Sequence, residues 1–370
     1  MHADPKRHLW LLGLSIPVLG MGALLAFSKG PKVMQSIAAS AGLVTLHGLI
    51  PYLDHFFSED TSHVDFAQMK RLEQDPYYIA VIAAYLPLQY INNIYAAYLA
   101  TQKNTHVVDV LLLGSLLSVV NVVGINVAHE LGHKHQPYQH LLAHIALLPS
   151  MYSHFRIEHN YGHHRFVATP HDPASAYWGE SFWHFLPRSI VGGFKSAINI
   201  EKQRLSRKKL GFWQPKNELL QAWVVGLMYH GCMLKIFGRK WVLLQTAQVA
   251  YTITLLEAVN YMEHYGLKRK RINAHAYEAV SRQHSWNHNS VFSNLIFYHL
   301  QRHSDHHAHP SKPFQLLEND KDAPTLPKGY GGLFTDVFIP KRWFKLMHPR
   351  LLQHYQGDLS RMHQYKDHLE

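Results

Sequence analysis

The stretch from Leu300 to Pro310 reads Leu-Gln-Arg-His-Ser-Asp-His-His-Ala-His-Pro, and its histidine spacing decides how the rest of the chain is interpreted. His303, His306 and His307 stand at positions i, i+3 and i+4. Side chains three and four residues apart are neighbours on one face of a helix. Histidine is also the commonest metal ligand among side chains. The spacing therefore predicts a helix that presents three imidazoles on one face, as half of a metal site.

Two further histidine boxes lie upstream. His129 and His133 are four residues apart in His-Glu-Leu-Gly-His-Lys. The second box, Glu-His-Asn-Tyr-Gly-His-His-Arg, places His159, His163 and His164 at i, i+4 and i+5. Three boxes offer more imidazoles than a single metal ion uses.

A further histidine ends an apolar segment in Asn-Tyr-Met-Glu-His-Tyr-Gly. With it the candidate metal ligands number nine: His129, His133, His159, His163, His164, His264, His303, His306 and His307. Nine nitrogens suit two metal ions, with five and four ligands, and leave open positions. Because a metal-bound imidazole usually donates its other ring proton to an oxygen, nearby acids are candidate partners. These acids are Glu130, Glu158, Glu263, Asp305 and Asp172.

The composition limits the chemistry of such a site. The 370 residues include 31 histidines and 1 cysteine, so a disulfide framework, a thiolate zinc site and an iron–sulfur cluster are excluded. Nitrogen and oxygen ligands remain, and imidazole suits Fe, Zn, Cu and Ni. The net charge of +11 is compatible with anionic lipid or an acidic protein. The chain has no nucleic-acid-binding motif, so nucleic acid is not an expected partner.

Six apolar segments predict the fold class, an all-α polytopic membrane protein in a single domain, 1–370. A span needs about 20 residues, and the segments cover 9–27, 34–53, 78–98, 107–127, 219–237 and 241–262, with a possible kink at Pro87. Lys6 and Arg7 precede the first segment, and the positive-inside bias places them in the cytoplasm. Both termini and every histidine box then lie on the cytoplasmic side, in a histidine-rich cap formed by 128–218 and 263–370.

The four motifs together resemble the integral-membrane alkane 1-monooxygenases. The resemblance rests on the first and third boxes, on Asn-Tyr-Met-Glu-His-Tyr-Gly, and on a second box extended to Glu-His-Asn-Tyr-Gly-His-His-Arg-Phe-Val-Ala-Thr-Pro-His-Asp-Pro. It runs from the second span to about Pro340, and Phe314 stands where the family usually has tyrosine.

The resemblance implies a six-helix fold in the bacterial inner membrane and a non-haem di-iron centre held by the nine histidines. It also implies terminal hydroxylation of medium-chain n-alkanes with O₂. The resemblance further implies rubredoxin as the electron donor, with rubredoxin reductase upstream. An alkane arriving from the bilayer suggests a channel beside the fourth span, with Gly114, Asn121, Gly124 and Asn126 as candidate lining residues. Close helix packing is an equal alternative for the two glycines.

Two basic clusters are candidates for docking the electron donor, although the positive-inside bias explains them as well. They are Arg204, Arg207, Lys208 and Lys209, and Lys268, Arg269, Lys270 and Arg271.

Three other functions remain open. The first box also spells His-Glu-x-x-His, the zincin signature, with Glu130 as general base. A metal transporter would use histidines as well, although these boxes lie beyond the spans. Membrane fatty-acid desaturases and hydroxylases carry similar boxes. Two irons per chain would support an oxygenase, whereas one zinc per chain would support a protease. A product assay with octane or dodecane would separate an alkane hydroxylase from an enzyme that acts on acyl chains.

Overall fold

The computed structural model describes residues 4–60, 62, 64–274 and 276–365, and this part of the chain is mainly helical. The α-helices are α1 Ser15–Lys29, α2 Lys32–Ala39, α3 Ala41–Val44, α4 Ile50–Phe56, α5 Phe66–Glu73, α6 Pro76–Ala83, α7 Tyr85–Thr101, α8 Val107–Gly132, α9 Pro137–Leu147, α10 Phe155–Glu158, α11 His164–Phe166, α12 Phe182–Arg207, α13 Glu218–Phe237, α14 Arg239–His264, α15 Val291–Ile296, α16 His303–Ala308, α17 Tyr330–Phe338 and α18 Pro340–His354.

Shorter elements connect these helices. The 3₁₀-helices are Leu9–Leu14, Leu148–Ser150, Arg282–His284, Phe314–Leu316 and Leu359–Arg361, and π-helical turns cover Thr45–Leu49 and His159–His163. One small hairpin pairs β1 Arg271–Asn273 with β2 Ala276–Tyr277 in antiparallel orientation. Arg271 lies opposite Tyr277, and Asn273 lies opposite Ala276.

Four of the predicted spans are confirmed as helices that are long and apolar enough to cross a membrane. Among the described residues these are Leu9–Lys29, Val107–Gly132, Glu218–Phe237 and Arg239–His264. The second predicted span is a bent pair, Lys32–Ala39 and Ala41–Phe56, with an angle of 46° between its parts. It makes a fifth span if both parts cross together. The protein is therefore a membrane protein.

The third predicted span is divided into α6 and α7, and neither half alone is long enough to count as a span. The break falls at Ala84, three residues before Pro87. Pro87 has no N–H to donate to the carbonyl of Ala83, so the helical hydrogen-bond ladder is interrupted there. A sixth crossing through this pair stays a prediction.

Helix α8 is the centre of the bundle. It is buried over most of its length, from Val110 to Gly132, and it packs against α1, α7, α9 and α14. Its start is fixed by a capping box, in which the Asp109 carboxylate accepts from the N–H of His106 at 3.2 Å. The apolar sides of four helices therefore converge on α8, and its last turn carries the first histidine box into the interior.

Helices α13 and α14 form an antiparallel hairpin. Asn217 caps the start of α13 by accepting from the N–H groups of Leu219 and Leu220. Gly238 ends it with φ +66°, a conformation that costs little only for glycine. Because the turn at Gly238 reverses the chain, the start of α13 and the end of α14 lie at the same end of the hairpin.

A buried ion cluster attaches the N-terminal segment to the third histidine box. Asp60 pairs with Lys6 at 2.6 Å and with Arg302 at 2.8 Å. Arg302 also donates to the carbonyl of Leu317 at 2.6 Å. Since Arg302 directly precedes His303, these contacts hold the start of α16 in place. Phe314, the departure from the resembled family, is buried beside this cluster and packs against Trp10 at 5.0 Å between ring centroids.

Candidate metal centre

The nine candidate histidines lie together in two groups. His129, His133, His159, His164 and His306 form the five-histidine group, and His163, His264, His303 and His307 form the four-histidine group. Within each group the candidate ligand atoms all lie within 4.8 Å of one another. Eight of the nine side chains are buried, and His133 is partly buried. Imidazoles from four separate segments thus meet in two adjoining sets, and each set can hold a metal ion.

The first box follows the helical spacing directly. His129 and His133 extend from the end of α8 into the five-histidine group, with 4.9 Å between their ring centroids. Residues four apart share a helix face, so this pair needs no departure from α-helical geometry.

The second box is shaped by a π-helical turn. The N–H of His164 donates to the carbonyl of His159, five residues earlier. Residues five apart then lie above one another, and the Nε2 atoms of His159 and His164 are 3.0 Å apart in the five-histidine group. His163, four residues after His159, is turned towards the four-histidine group instead.

The third box is divided between the two groups. His303 and His307 share the four-histidine group, with 3.0 Å between their Nε2 atoms. His306 extends to the other side and lies 2.8 Å from His129 and 3.1 Å from His164, measured between Nε2 atoms. The structure therefore differs from the predicted half-site, because the three imidazoles of this box do not face a single position.

The spacing of the ring nitrogens fits metal ligation. Two nitrogens bound at right angles to one ion at about 2.1 Å lie about 3.0 Å apart. The Nε2–Nε2 distances given above range from 2.8 to 3.1 Å. In addition, the Nε2 atoms of His133, His163 and His264 are buried without a hydrogen-bond partner among the described residues. An unpaired buried nitrogen costs about 1–3 kcal/mol, and a bound metal ion would remove that cost.

Burial keeps most of these imidazoles neutral. The pKa values of six of them lie well below the ordinary value, first because the rings are removed from water and then because neighbouring imidazoles repel a further positive charge. These six are His133, His159, His164, His303, His306 and His307. A neutral ring is the form that binds a metal, so the site is prepared for ligation at neutral pH.

Asp172 supports His163 from outside the four-histidine group. The Nδ1 of His163 donates to Oδ2 of Asp172 at 2.9 Å, which leaves Nε2 directed into the group. Burial alone would lower the pKa of His163, but the Asp172 carboxylate outweighs it and raises that pKa. Ser175 donates to the same oxygen at 2.6 Å and fixes the carboxylate. This is the arrangement in which a carboxylate orients a metal-bound imidazole.

Glu263 extends into the site itself. Its Oε2 lies 3.1 Å from Nε2 of His303, and its Oε1 accepts from the hydroxyl of Tyr330 at 2.7 Å. His264, the next residue, directs Nδ1 at the carbonyl of His284 at 3.3 Å. Tyr330 and His284 were not singled out from the sequence, because they lie 67 and 20 residues from their partners and no motif marks them.

The other predicted acids have different partners. Glu130 pairs with Lys134 at 2.6 Å and accepts from the N–H of Phe314 at 3.2 Å. Asp305 accepts from Arg282 and Lys312. Their carboxylates stabilise the loop packing, and neither bonds to one of the nine histidines. Oε1 of Glu158 has no hydrogen-bond partner among the described residues, and burial raises the pKa of Glu158 to about 8.

A small cavity adjoins both histidine groups. Its volume is about 50 Å³, enough for the end of a chain molecule and not for a whole one. His129, His159, His303 and Glu263 line one part of it. The rest is mainly apolar and comes from α8, α14 and nearby segments: Val122, Ile125, Phe155, Leu256, Val259 and Leu300. An apolar chain end in this cavity would therefore lie against the imidazoles.

Of the four predicted channel residues, Asn126 lines this cavity, and its side chain is held by the carbonyl of Phe297 at 2.8 Å. The other three pack against neighbouring helices. A Cβ at Gly114 would lie 2.8 Å from Cβ of Ala247 on α14, and a Cβ at Gly124 would clash with the Gln89 amide on α7. Asn121 accepts from Gln89 at 3.0 Å, which satisfies a polar group inside the bundle.

The two basic clusters have different surroundings. Lys268, Arg269, Lys270 and Arg271 line an open pocket of about 760 Å³, together with Arg361 and His284. Within this cluster Arg269 is buried and donates to the carbonyl of Glu278 at 2.9 Å. The other cluster is at the end of α12. There Arg204 pairs with Glu201 at 2.6 Å, while Arg207, Lys208 and Lys209 are exposed.

Comparisons with known proteins agree with this site. The fatty acid desaturase family model matches residues 107–336, which include all three boxes. The chain is 44% identical to an alkane 1-monooxygenase of Acinetobacter baylyi and 39% identical to alkane 1-monooxygenase 1 of Alcanivorax borkumensis. It is 37% identical to an alkane 1-monooxygenase of Pseudomonas putida. Each comparison covers 98% of this chain and 89% of the relative. The chain therefore belongs to the alkane 1-monooxygenase family.

Proposed function

We propose that this protein hydroxylates the terminal carbon of medium-chain n-alkanes at a pair of iron ions. Alkane, O₂, two electrons and two protons give 1-alkanol and water. Family membership makes the protein a monooxygenase, and the names of its relatives point to alkanes as the substrates. The single observation that carries the proposal is the meeting of nine imidazoles in groups of five and four beside an apolar cavity.

The five-histidine group would hold one iron and the four-histidine group the other. The metal pair, when bound, supplies the oxidation of an unactivated C–H bond by O₂, which side-chain acids and bases do not perform. The protein provides ligands, orientation and exclusion of water. Asp172 fixes the ring of His163, and the hydroxyl of Tyr330 fixes the carboxylate of Glu263 beside His303.

The cavity supports an apolar substrate. Its walls offer few polar partners, so a chain would be selected by its length and shape. The candidate spans α8 and α14 carry most of the lining, so a substrate dissolved in the bilayer would reach the metals along the helices. Six crossings of the bacterial inner membrane, with both termini and the histidine-rich cap in the cytoplasm, belong to this proposal.

Reduced rubredoxin, itself reduced by rubredoxin reductase, is the proposed electron donor. The open pocket lined by Lys268, Lys270, Arg271 and Arg361 is positively charged and would attract an acidic protein. His284 lies in its wall, and the carbonyl of His284 is 3.3 Å from Nδ1 of His264. A donor seated there would thus be one residue away from the four-histidine group.

Charge reversal tests this docking site. Lys270→Glu with Arg271→Glu should raise the KM for rubredoxin at low salt and flatten the salt dependence of turnover. The control is Lys208→Glu with Lys209→Glu, which changes the other cluster by the same charge. A KM that is unchanged by the first pair, or equally raised by the second, contradicts docking at this pocket.

The central experiment uses the purified protein in detergent. We expect two irons per chain, and 1-alkanols from octane and dodecane when reduced rubredoxin is supplied. A His303→Ala, His307→Ala variant should lose iron from the four-histidine group and form no product. One zinc per chain, or no alkanol from any alkane between hexane and hexadecane, would refute the proposal.

The match to the fatty acid desaturase family model favours one second candidate, a desaturase or hydroxylase of acyl chains. The same histidine groups would serve either reaction. Incubation of the iron-loaded protein with an alkane and with a fatty acyl substrate of equal length separates them, since the alternative predicts product from the acyl chain and none from the alkane.

A further inference from the structure

Helix α12 lies across one end of the helical bundle. Just before its first residue, the carbonyl of Glu180 accepts from the hydroxyl of Tyr261, near the end of α14, at 2.6 Å. Near its last turn, Oε1 of Glu201 accepts from the N–H of Glu218, the first residue of α13, at 2.7 Å. The start of α13 and the end of α14 lie at the same end of their hairpin. Both ends of α12 are therefore on the same side of the bundle.

The length of α12 fixes its direction. A helix of 26 residues is about 39 Å long, longer than the hydrocarbon core of a bilayer is thick. A helix of this length that ran along the membrane normal would place its ends on opposite faces. Because its ends are attached to the same end of the α13–α14 hairpin, α12 runs parallel to the membrane plane, at the level of the histidine boxes.

The surface of α12 has three distinct sides. One side is buried in the protein and includes Phe182, Phe185 and Gly193. A second side is an exposed apolar stripe with helical spacing: Trp183, Pro187, Val191 and Phe194. The third side is exposed and polar, with His184, Lys195, Asn199 and Lys202. This division is typical of a helix that lies at a membrane surface, with one flank in lipid and another in water.

The apolar stripe continues onto a membrane span. Phe194 stacks on Trp223 of α13, with 5.8 Å between the ring centroids. Helix α13 is the least buried of the candidate spans, and its Leu227 is 74% exposed. The outer side of α13 must face lipid if it crosses the membrane, so the stripe on α12 extends that lipid-facing surface.

The end of α12 completes the pattern. Arg207, Lys208 and Lys209 are exposed there, and Trp213 in the following loop is 81% exposed. Tryptophan is enriched at the membrane interface, and clustered lysine and arginine attract anionic head groups.

We propose that α12 is embedded in the membrane surface, with its apolar stripe in the lipid and its basic end on anionic phospholipid head groups. The inference rests on the proposed membrane topology and extends it. It also gives the cluster Arg207–Lys209 a lipid partner, whereas the pocket at Lys268–Arg271 remains the seat of the electron donor. Lipid would then lie one helix away from the second histidine box, since the Ser196 hydroxyl of α12 lies 2.9 Å from the position of a Cβ at Gly162.

Spin labelling of the full-length protein tests the placement of α12. Cys232 is the chain's one cysteine, so Cys232→Ser provides a background for single labels. Val191→Cys reports on the stripe, Asn199→Cys on the polar flank and Leu227→Cys on α13. In phosphatidylcholine vesicles with one-quarter phosphatidylglycerol, we expect the labels at 191 and 227 to be several-fold more accessible to oxygen than to a water-soluble nickel chelate, and the label at 199 to show the reverse.

The outcomes separate the inference from the topology. Labels at 191 and 199 that are equally accessible to the chelate, with the label at 227 in lipid, overturn the placement of α12 and leave the topology intact. A label at 227 that is also in water overturns both.

A second measurement tests the lipid class and needs no label. The fluorescence of Trp213 is obtained as the difference between the unmodified protein and Trp213→Phe. At equal lipid content, brominated phosphatidylglycerol should quench this fluorescence at least twofold more strongly than brominated phosphatidylcholine. Lys208→Gln with Lys209→Gln should abolish this preference. Equal quenching by both lipids in the unmodified protein would overturn the assignment to anionic lipid.

Discussion

The contact between Asp172 and His163 predicts how strongly one carboxylate controls one of the two proposed metal sites. Asp172→Asn keeps the size of the side chain and removes its charge. In the structure, Oδ2 of Asp172 accepts from Nδ1 of His163 at 2.9 Å and from Ser175 at 2.6 Å. An amide in this position accepts more weakly and offers an N–H where the ring needs an acceptor, so the preferred ring orientation and tautomer of His163 are lost.

The magnitude follows from the supporting role of the carboxylate. Removal of such a partner costs 10–100-fold in metal affinity, or about 1.4–2.7 kcal/mol. The effect should fall near the upper end of this range, because Asp172 is 1% exposed and no water replaces its charge. It should affect the four-histidine group, which contains His163, and leave the five-histidine group within about threefold of its original affinity.

The assay is metal retention against a graded series of chelator concentrations, with iron counted per chain. As the chelator concentration rises, Asp172→Asn should lose one of its two irons first. At that concentration the unmodified protein should still retain both. Asp305→Asn is the matched control, since Asp305 was also predicted to support a ligand, but its oxygens accept from Arg282 and Lys312. This control should lower the melting temperature and leave metal retention unchanged. Equal iron loss from both variants, or none from Asp172→Asn, would refute the reasoning.

Three further predictions concern packing, substrate length and pH. Gly114→Leu should lower the free energy of unfolding by about 1–3 kcal/mol, because its Cβ would lie 2.8 Å from Ala247. Gly22→Leu should leave it unchanged, because no atom from another part of the described chain lies within 4 Å of a Cβ there. Thermal unfolding in detergent measures both variants. Val122→Phe should shorten the longest alkane accepted, since Val122 lines the cavity, and Val224→Phe on the exposed side of α13 should not; product analysis over an alkane series decides. The metal-free protein should lose stability as the pH falls below about 6.5. Burial holds the pKa values of several histidines well below that of the unfolded chain, so the unfolded chain takes up more protons. These histidines include His303, His306 and His307. For each of them, the free energy of unfolding should fall by about 1.4 kcal/mol per pH unit. Melting temperatures between pH 7.5 and 5.5 measure this loss.

The clustering of the histidines could be predicted from the sequence, and their division could not. Spacing placed His129 and His133 on one helical face, and the structure agrees. In the second box the spacing i, i+4, i+5 is compatible with two pairings. The π-helical turn selects His159 with His164, because the N–H of His164 bonds five residues back. Turn geometry of this kind depends on packing around the box, which a spacing rule does not contain.

Adjacency in sequence was a poor guide to the acids. Glu130 and Asp305 are adjacent to predicted ligands in the chain, but Glu130 pairs with Lys134 and Asp305 pairs with Lys312. Asp172, nine residues from His163, accepts the hydrogen bond from a candidate metal ligand that was expected for the adjacent acids. A carboxylate beside a histidine on a helix points to another side of that helix, so its partner is set by tertiary structure. The same reason hides Tyr330, whose contact with Glu263 joins distant segments.

The division of the boxes explains why one compact centre needs so many separate segments. The second box gives His159 and His164 to the five-histidine group and His163 to the four-histidine group. The third box likewise gives His306 to one group and His303 and His307 to the other. Two short helical segments are thus shared by both groups, so neither group can move without displacing ligands of its neighbour. The distance between the two proposed metal ions would then be fixed by the backbone of these segments, and the apolar cavity beside them would present a chain end to both groups at once.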